Sequence, residues 1–155
     1  KLNPNQKGKT LDCKEVLRCS EALDYCLIEM EPHRRGQSLS KQTPVKINKS
    51  PSFSKDTNTM AIGNPLGFGI HASKGKGLIR TIQGLKFHAP VFGGNSGGGL
   101  FNEKGELIGL VRAQSQDLYS TNSYNVAVDL NLIEADLKRA LGKDHSALKQ
   151  IKFGN

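Results

Sequence analysis

Gly93-Gly94-Asn95-Ser96-Gly97-Gly98-Gly99, running on as Leu100-Phe101-Asn102, decides how this chain is read. Five of the first seven residues are glycine, and one hydroxyl stands among them. Glycine reaches backbone conformations closed to other residues, at the largest loss of conformational freedom on ordering. A flexible Gly/Ser surface turn is the plain reading. The concentration of glycine around Ser96 points instead to a loop whose N–H groups converge beside a nucleophile. In acyl transfer the hydroxyl attacks a carbonyl, and the amides hold the oxygen that turns negative.

The residues after the loop limit the choices. Gly99 to Asn102 reads as extended, Glu103-Lys104-Gly105 as a turn, and Glu106 to Ala113 as the returning hairpin strand. Gly94-Asn95-Ser96-Gly97-Gly98 has the form G-x-S-x-G, but that elbow needs a helix directly after the serine. A strand follows here, so the elbow is excluded. No G-x-x-x-x-G-K-[ST] and no strand-coupled G-x-G-x-x-G occurs, and no cofactor is expected.

Working outward, short strands recur between turns. Asn58 to Ile62 is one, stopped by Gly63-Asn64-Pro65. Leu66 to Ala72 is a glycine-punctuated loop or irregular strand. Gly77 to Gln83, Leu85 to His88 and Tyr124 to Val128 are further strands. A polar loop covers Gln114 to Ser123. Asp129 is placed to cap a helix whose apolar period runs Leu130, Leu132, Ile133, Leu137, Leu141, with Gly142 as its stop. Many short strands and one terminal helix give a mostly antiparallel β domain, a sandwich or a barrel. Residues 143–155 read as a polar tail with a weak apolar remnant, and residues 32–56, rich in Pro, Ser and Lys, as a connection with a brief extended piece at Val45-Lys46-Ile47.

With 155 residues the chain suits one ordinary domain, and its 36% hydrophobic and 23% charged content is globular. The first ten residues are polar and basic, so no signal peptide is expected there. The net charge of +8 raises a nucleic-acid reading. The positive residues are scattered, without zinc-finger spacing, an RNA-binding aromatic motif or a basic helix, and diffuse surface charge is expected. Cys13, Cys19 and Cys26 do not have zinc spacing, and no metal is expected. Their odd number fits one disulfide plus a buried thiol, or a bridge to a segment outside the chain, and suggests an oxidising compartment.

Two strands are expected near the start, Val16 to Cys19 and Leu23 to Met30. Strict alternation in the second puts Asp24, Cys26, Ile28 and Met30 on one face, with the carboxylate in line with three core side chains. A buried carboxylate there would need hydrogen-bond donors; the other reading is an exposed Asp at the start of the strand.

The ordered set LDYCLIEM (23–30), AIGNPLGFG (61–69), GKGLIRTIQG (75–84), HAPVFGGNSGGGLFNEKGELIGLV (88–111) and YNVAV (124–128) resembles the trypsin-like serine proteases. The likeness is to the bacterial branch with HtrA-like and glutamyl-endopeptidase groups, over roughly residues 11–141. The resemblance implies an all-β fold: the antiparallel barrel of a double-barrel protease with a C-terminal α-helix, and the first barrel largely absent. It implies Ser96 as nucleophile, Asp24 as orienting carboxylate, and Gly94 and Ser96 N–H groups as oxyanion hole. It implies a substrate pocket walled by His88, Pro90, Val91, Phe92, Arg112, Ala113, Gln114 and Asn125. Residues 1–31 are then a remnant of the N-terminal barrel, 32–56 a linker between barrels, 57–129 the C-terminal barrel, 130–142 the helix and 143–155 the tail.

The implied activity is endopeptidase, acting on polypeptides outside the cytoplasm, secreted or periplasmic, with no nucleic-acid or membrane partner. The alternative is a non-catalytic domain of this fold that binds peptides or a protein partner. Four departures stand out. Gly99 replaces a usual proline, Asn95 an aspartate of digestive trypsins, and Arg112 a serine or threonine. No histidine precedes Asp24, where the family carries its base; His33, His71, His88 and His145 all follow. An N-terminal fragment of the same protease is the expected source of that base. His33, His71 and His145 are expected to be solvated, and His88 to line the pocket. Pro90 stands where a trypsin pocket holds aspartate, so the first expectation is a small or medium apolar residue before the cut. An acidic residue is the second.

Overall fold

Alternation of inward and outward side chains closes the larger part of the chain into a barrel. The computed structural model describes residues 12–34, 37–38, 43–114 and 123–153. Six antiparallel strands join edge to edge: β5 (Asn58–Gly63), β6 (His71–Thr81), β7 (Gly84–Phe87), β8 (Gly99–Asn102), β9 (Leu107–Gln114) and β10 (Asn125–Asp129). The order round the barrel is β10-β7-β6-β5-β8-β9, so no barrel edge is left to pair elsewhere. Ala61, Leu85, Phe87, Leu100, Ile108, Val111 and Ala127 fill the interior, with Ala89 and Val91 closing it. Each large side chain so buried contributes about 1.5–3 kcal/mol.

The strand expected at Gly77 is the second half of a longer one. β6 starts at His71 and pairs first with β5, Asn58 opposite Lys76 through Gly63 opposite His71, and then with β7. Its first half, HASKGKG, is short of apolar residues and gave no strand pattern. The hairpin β8–β9 and the last strand fall within a residue or two of expectation. Ile47 adds a single parallel bridge to Leu107. The loop expected after Gln114 falls on residues 115–122, outside the described residues, as do the side chains of His33, Ala113 and Gln114.

β1 (Cys13–Ser20) and β2 (Tyr25–Met30) form a separate antiparallel hairpin, and β3 (His33–Arg34) and β4 (Gln37–Ser38) a two-residue one. Cys19 and Cys26 face each other across β1–β2 and are disulfide-bonded. The third thiol, Cys13, is exposed rather than buried. The expected core face is also reversed. Asp24 lies in the turn before β2, at φ 54, so it does not share the strand's alternation. Tyr25 and Leu27 turn inward, and Cys26 and Ile28 are exposed.

Helix α1 (Leu130–Leu141) begins and ends as its sequence predicts. The Asp129 carboxylate accepts the Asn131 N–H at 3.1 Å, and the Gly142 N–H closes on the Lys138 carbonyl at 3.0 Å. Leu130, Ile133 and Leu137 pack with Tyr25, Val128 and Phe153 in a second core between helix, barrel and hairpin. The apolar remnant of the tail belongs to this core. The tail forms α2 (Ser146–Gln150), whose first turn is capped by the His145 side chain accepting from Ala147 N–H, and returns Phe153 to this core.

Candidate functional site

The glycine turn is held from two sides. The Asn95 N–H donates to the Phe92 carbonyl at 3.0 Å, closing a four-residue turn, and Gly94 takes φ 96. Gly93 is outside the positive-φ region, so the turn is of type II, which needs glycine at its third position. The Gly93 carbonyl accepts the Leu66 N–H at 2.7 Å. The peptide is trans, so the Gly94 N–H on its other side points away from that loop. Among the described residues, neither the Gly94 nor the Ser96 N–H donates to any group. A Cβ at position 94 would run into the Asn64 carbonyl oxygen. Two free donors beside an exposed serine are the requirement for holding an oxyanion.

Ser96 is exposed, and its hydroxyl donates to the Arg112 carbonyl at 3.0 Å. The Gly97 N–H bonds Val111 O at 2.7 Å and the Val111 N–H bonds Gly98 O at 2.8 Å, which fasten the loop to β9. Asn95 is buried, and among the described residues its Oδ1 has no hydrogen-bond partner. The Arg112 side chain turns to the β1–β2 hairpin, with Nε 4.0 Å from an Asp24 carboxylate oxygen. One residue thus touches both residues named from sequence, Ser96 through its carbonyl and Asp24 through its guanidinium. The Asp24 side chain is 64% exposed, and the pair adds little to stability. Asp24 borders an open hollow of about 280 Å³, which Cys19, Ser20, Glu21, Tyr25 and Cys26 also line.

The remaining pocket residues differ in kind. Phe92 and Pro90 are exposed and Val91 is buried in the barrel core. His88 is exposed; its Nδ1 lies 3.2 Å from the Ser123 carbonyl, a contact that puts the proton on Nδ1. Asn125 is buried and donates to Ala89 O at 2.7 Å, so it holds the 88–92 segment against β10.

Two supports escaped the sequence reading. Asn64 meets the glycine turn with both backbone groups, its N–H donating to Gly94 O at 3.4 Å and its carbonyl oxygen standing where a Gly94 Cβ would be, and its side chain accepts the Gly69 N–H at 2.8 Å. The Asn-Pro pair marked a turn there without saying what it carries. The second is Asp136, on the apolar stripe of α1 beside Ile133 and Leu137. It takes two hydrogen bonds from Arg18, at 3.0 and 3.1 Å, one from the Tyr25 hydroxyl at 2.7 Å, and one from Arg139 at 2.7 Å. Arg18, then Tyr25 and Arg139, hold its carboxyl well below the ordinary range. Burial, then the neighbouring Asp136 carboxylate, pushes the Tyr25 phenol up to about 12.

Among the described residues, no three His, Cys, Asp or Glu side chains converge on one point, and no helix is long and apolar enough to cross a membrane.

The barrel and its serine turn define the class, and sequence comparison agrees: a model of the trypsin-like peptidase domain matches residues 3–110, and the chain belongs to that family. It is 28% identical over 141 residues to exfoliative toxin A of Staphylococcus aureus, covering 83% of this chain and 50% of the toxin. It is 32% identical over 112 residues to the periplasmic pH-dependent serine endoprotease DegQ of Escherichia coli, covering 66% of this chain and 23% of that protein. In fold it is similar to the crystal structure of a serine endoprotease from Yersinia pestis, with a TM-score of 0.70, 21% identity, and coverage of 90% of this chain and 47% of that one. The chain spans half or less of the length of these relatives.

Proposed function

We propose that the chain is the nucleophile-bearing half of a serine endopeptidase that cleaves polypeptides through an acyl-enzyme, in a secreted or periplasmic setting. The observation that carries this is the pair of undonated N–H groups at Gly94 and Ser96 beside an exposed hydroxyl. In this reading Ser96 Oγ attacks the scissile carbonyl while an imidazole takes its proton. The Gly94 and Ser96 N–H groups hold the oxyanion, and the imidazolium then protonates the leaving amine. Water repeats the steps in reverse order of roles to release the acid. Asp24 fixes the imidazole's tautomer from the hollow on its open side. The imidazole comes from an N-terminal fragment of the same protease, since no residue before Asp24 is histidine. Periplasmic DegQ and the Cys19–Cys26 disulfide support the oxidising compartment. The pocket is assigned to His88, Pro90, Val91, Phe92, Ala113 and Gln114. Arg112 faces Asp24 instead, which removes the charge argument for an acidic substrate residue and favours a small or medium apolar one.

The competing reading, a peptide-binding domain without catalysis, draws on the Ser96 hydroxyl donating to a carbonyl and on the Arg112–Asp24 contact. Fluorophosphonate labelling separates the two. The test uses the product of the whole reading frame that contains this chain. Labelling that Ser96→Ala abolishes, and Asp24→Asn slows by about 10⁴, is expected. An unlabelled product that carries a histidine before Asp24 overturns the endopeptidase in favour of the binding domain.

A further inference from the structure

Asp24 stands inside a covalent ring. Cys19 and Cys26, seven positions apart, close it with their disulfide, and Asp24 lies between them in the turn that joins β1 to β2. Both cysteines are exposed, and both line the open hollow that Asp24 borders. A reductant in solution therefore reaches the bridge from the hollow itself. The hairpin has other means of staying on the molecule. Its strands pair from Cys13 opposite Met30 to Ser20 opposite Tyr25. Arg18 and the Tyr25 hydroxyl are tied to Asp136, and Leu23 and Leu27 pack on the core under α1.

The turn is held more lightly than the strands. Asp24 takes φ 54, a left-handed conformation that costs an L-residue energy. Its N–H reaches the Glu21 carbonyl at 3.3 Å, and the Leu23 N–H reaches the Ser20 hydroxyl at 3.3 Å. Both bonds are long for an N–H donor. Among the described residues the Asp24 carboxylate meets only Arg112, at 4.0 Å. The bridge thus adds little that the strands lack, and most of what the turn has.

We propose that the Cys19–Cys26 disulfide is a redox-sensitive switch on the site: closed, it holds the turn that aims Asp24, and opened by a dithiol, it frees that turn and slows acylation of Ser96. This rests on the endopeptidase reading above and adds regulation to it. Exposed disulfides are the labile ones, open to exchange. One thiolate of the dithiol attacks an exposed sulfur, forms a mixed disulfide with it and expels the other cysteine, which takes a proton. The second thiolate of the dithiol then attacks the mixed disulfide and expels the first cysteine, which takes a proton in turn. Two electrons and two protons pass to Cys19 and Cys26, and the dithiol ends as a disulfide. Cys13 is exposed at the far end of β1, about 20 Å along the strand from Cys19, and takes no part.

The test uses the whole reading-frame product, with dithiothreitol as the dithiol. Fluorophosphonate labelling of Ser96 is timed before reduction, after it, and after reoxidation. The expected result is labelling about tenfold slower in the reduced protein, recovered on reoxidation, with an unchanged far-UV circular dichroism spectrum. Cys19→Ser with Cys26→Ser labels at the reduced rate with or without dithiothreitol. In Asp24→Asn, reduction alters the already slow rate by less than about twofold, because no carboxylate is left to aim. A tenfold fall in Asp24→Asn as well overturns the switch, since the bridge then acts through stability. A serine variant that still slows on reduction overturns it too, and places the effect at another cysteine. Loss of the far-UV spectrum in the reduced protein or in the serine variant also overturns it, because the bridge then holds the fold. Equal rates in the oxidised and reduced proteins overturn the switch and leave the endopeptidase standing. If Ser96 labels in neither state, the endopeptidase reading has failed and the switch fails with it.

Discussion

Replacing single glycines with alanine separates the two demands made by the serine turn. At Gly94 an alanine meets both. Its φ of 96 is a left-handed conformation that costs an L-residue about 1–2 kcal/mol, and its Cβ is driven into the Asn64 carbonyl oxygen. Overpacking against a backbone atom costs about 1–3 kcal/mol. The sum is about 3 kcal/mol, and with a urea slope of about 2 kcal/mol/M the midpoint falls by about 1.5 M. The neighbours supply the controls. Gly97 has φ 83 with nothing near its Cβ, so Gly97→Ala shows conformation alone, about 0.5 M. Gly98 lies outside the positive-φ region, but its Cβ would strike the Ile62 carbonyl oxygen, so Gly98→Ala shows collision alone, about 1 M. Gly93 has neither demand and its alanine is close to neutral. Urea unfolding followed by far-UV circular dichroism measures all four. A Gly94→Ala midpoint no lower than that of Gly97→Ala would refute the turn geometry, and with it the placing of the Gly94 N–H.

Three further outcomes follow from the charged groups. Arg112→Ser leaves stability within about 0.5 kcal/mol, because both partners of its 4.0 Å pair are substantially exposed; a larger loss in urea unfolding means that the guanidinium has a deeper role. Lys46, then Asn48 and Asn102, lower the Glu106 carboxyl from 4.5 to about 2, so its contribution is complete above pH 4.5 and is lost as pH falls towards 2. Acid unfolding is therefore steep in that window, and Glu106→Gln flattens it. Asp136→Ala strips Arg18, Tyr25 and Arg139 of their shared acceptor and costs about 3 kcal/mol, read from thermal or urea unfolding.

The barrel was legible because its pattern is local. The apolar runs at Leu107–Val111 and Asn125–Val128 alternate or cluster as strands do, and Asp129 and Gly142 carry the helix ends in their side-chain chemistry. The GNSGG turn was legible because only glycine satisfies its backbone. The rest depended on partners far away in sequence. Strict alternation assigned Asp24 to the core, but a turn residue obeys no alternation, and the inward side of β2 was chosen by Tyr25 meeting Asp136, 111 residues on. The glycines and lysines of HASKGKG concealed half of β6, which is a strand because β5 pairs with it. Phe153 looked like a remnant in a polar tail because its core is made by the hairpin and helix it joins.

These long-range contacts also decide what sets the spacing of the candidate site. Ser96 belongs to the barrel, through the bonds of Gly97 and Gly98 to Val111 of β9. Asp24 belongs to the hairpin, which among the described residues shares no ladder with the barrel. The exposed 4.0 Å contact to Arg112 is too weak to hold them in register. The hairpin is instead fixed by Arg18 and Tyr25 on Asp136, and by Leu23 and Leu27 on the core under α1. Helix α1 continues directly from β10, whose Asn125 ties down the 88–92 segment leading into the serine turn. The distance from carboxylate to hydroxyl is thus set through helix α1. This is why a buried Asp on the apolar side of α1, an expensive choice in a helix that needs none for its own stability, has a place in the chain.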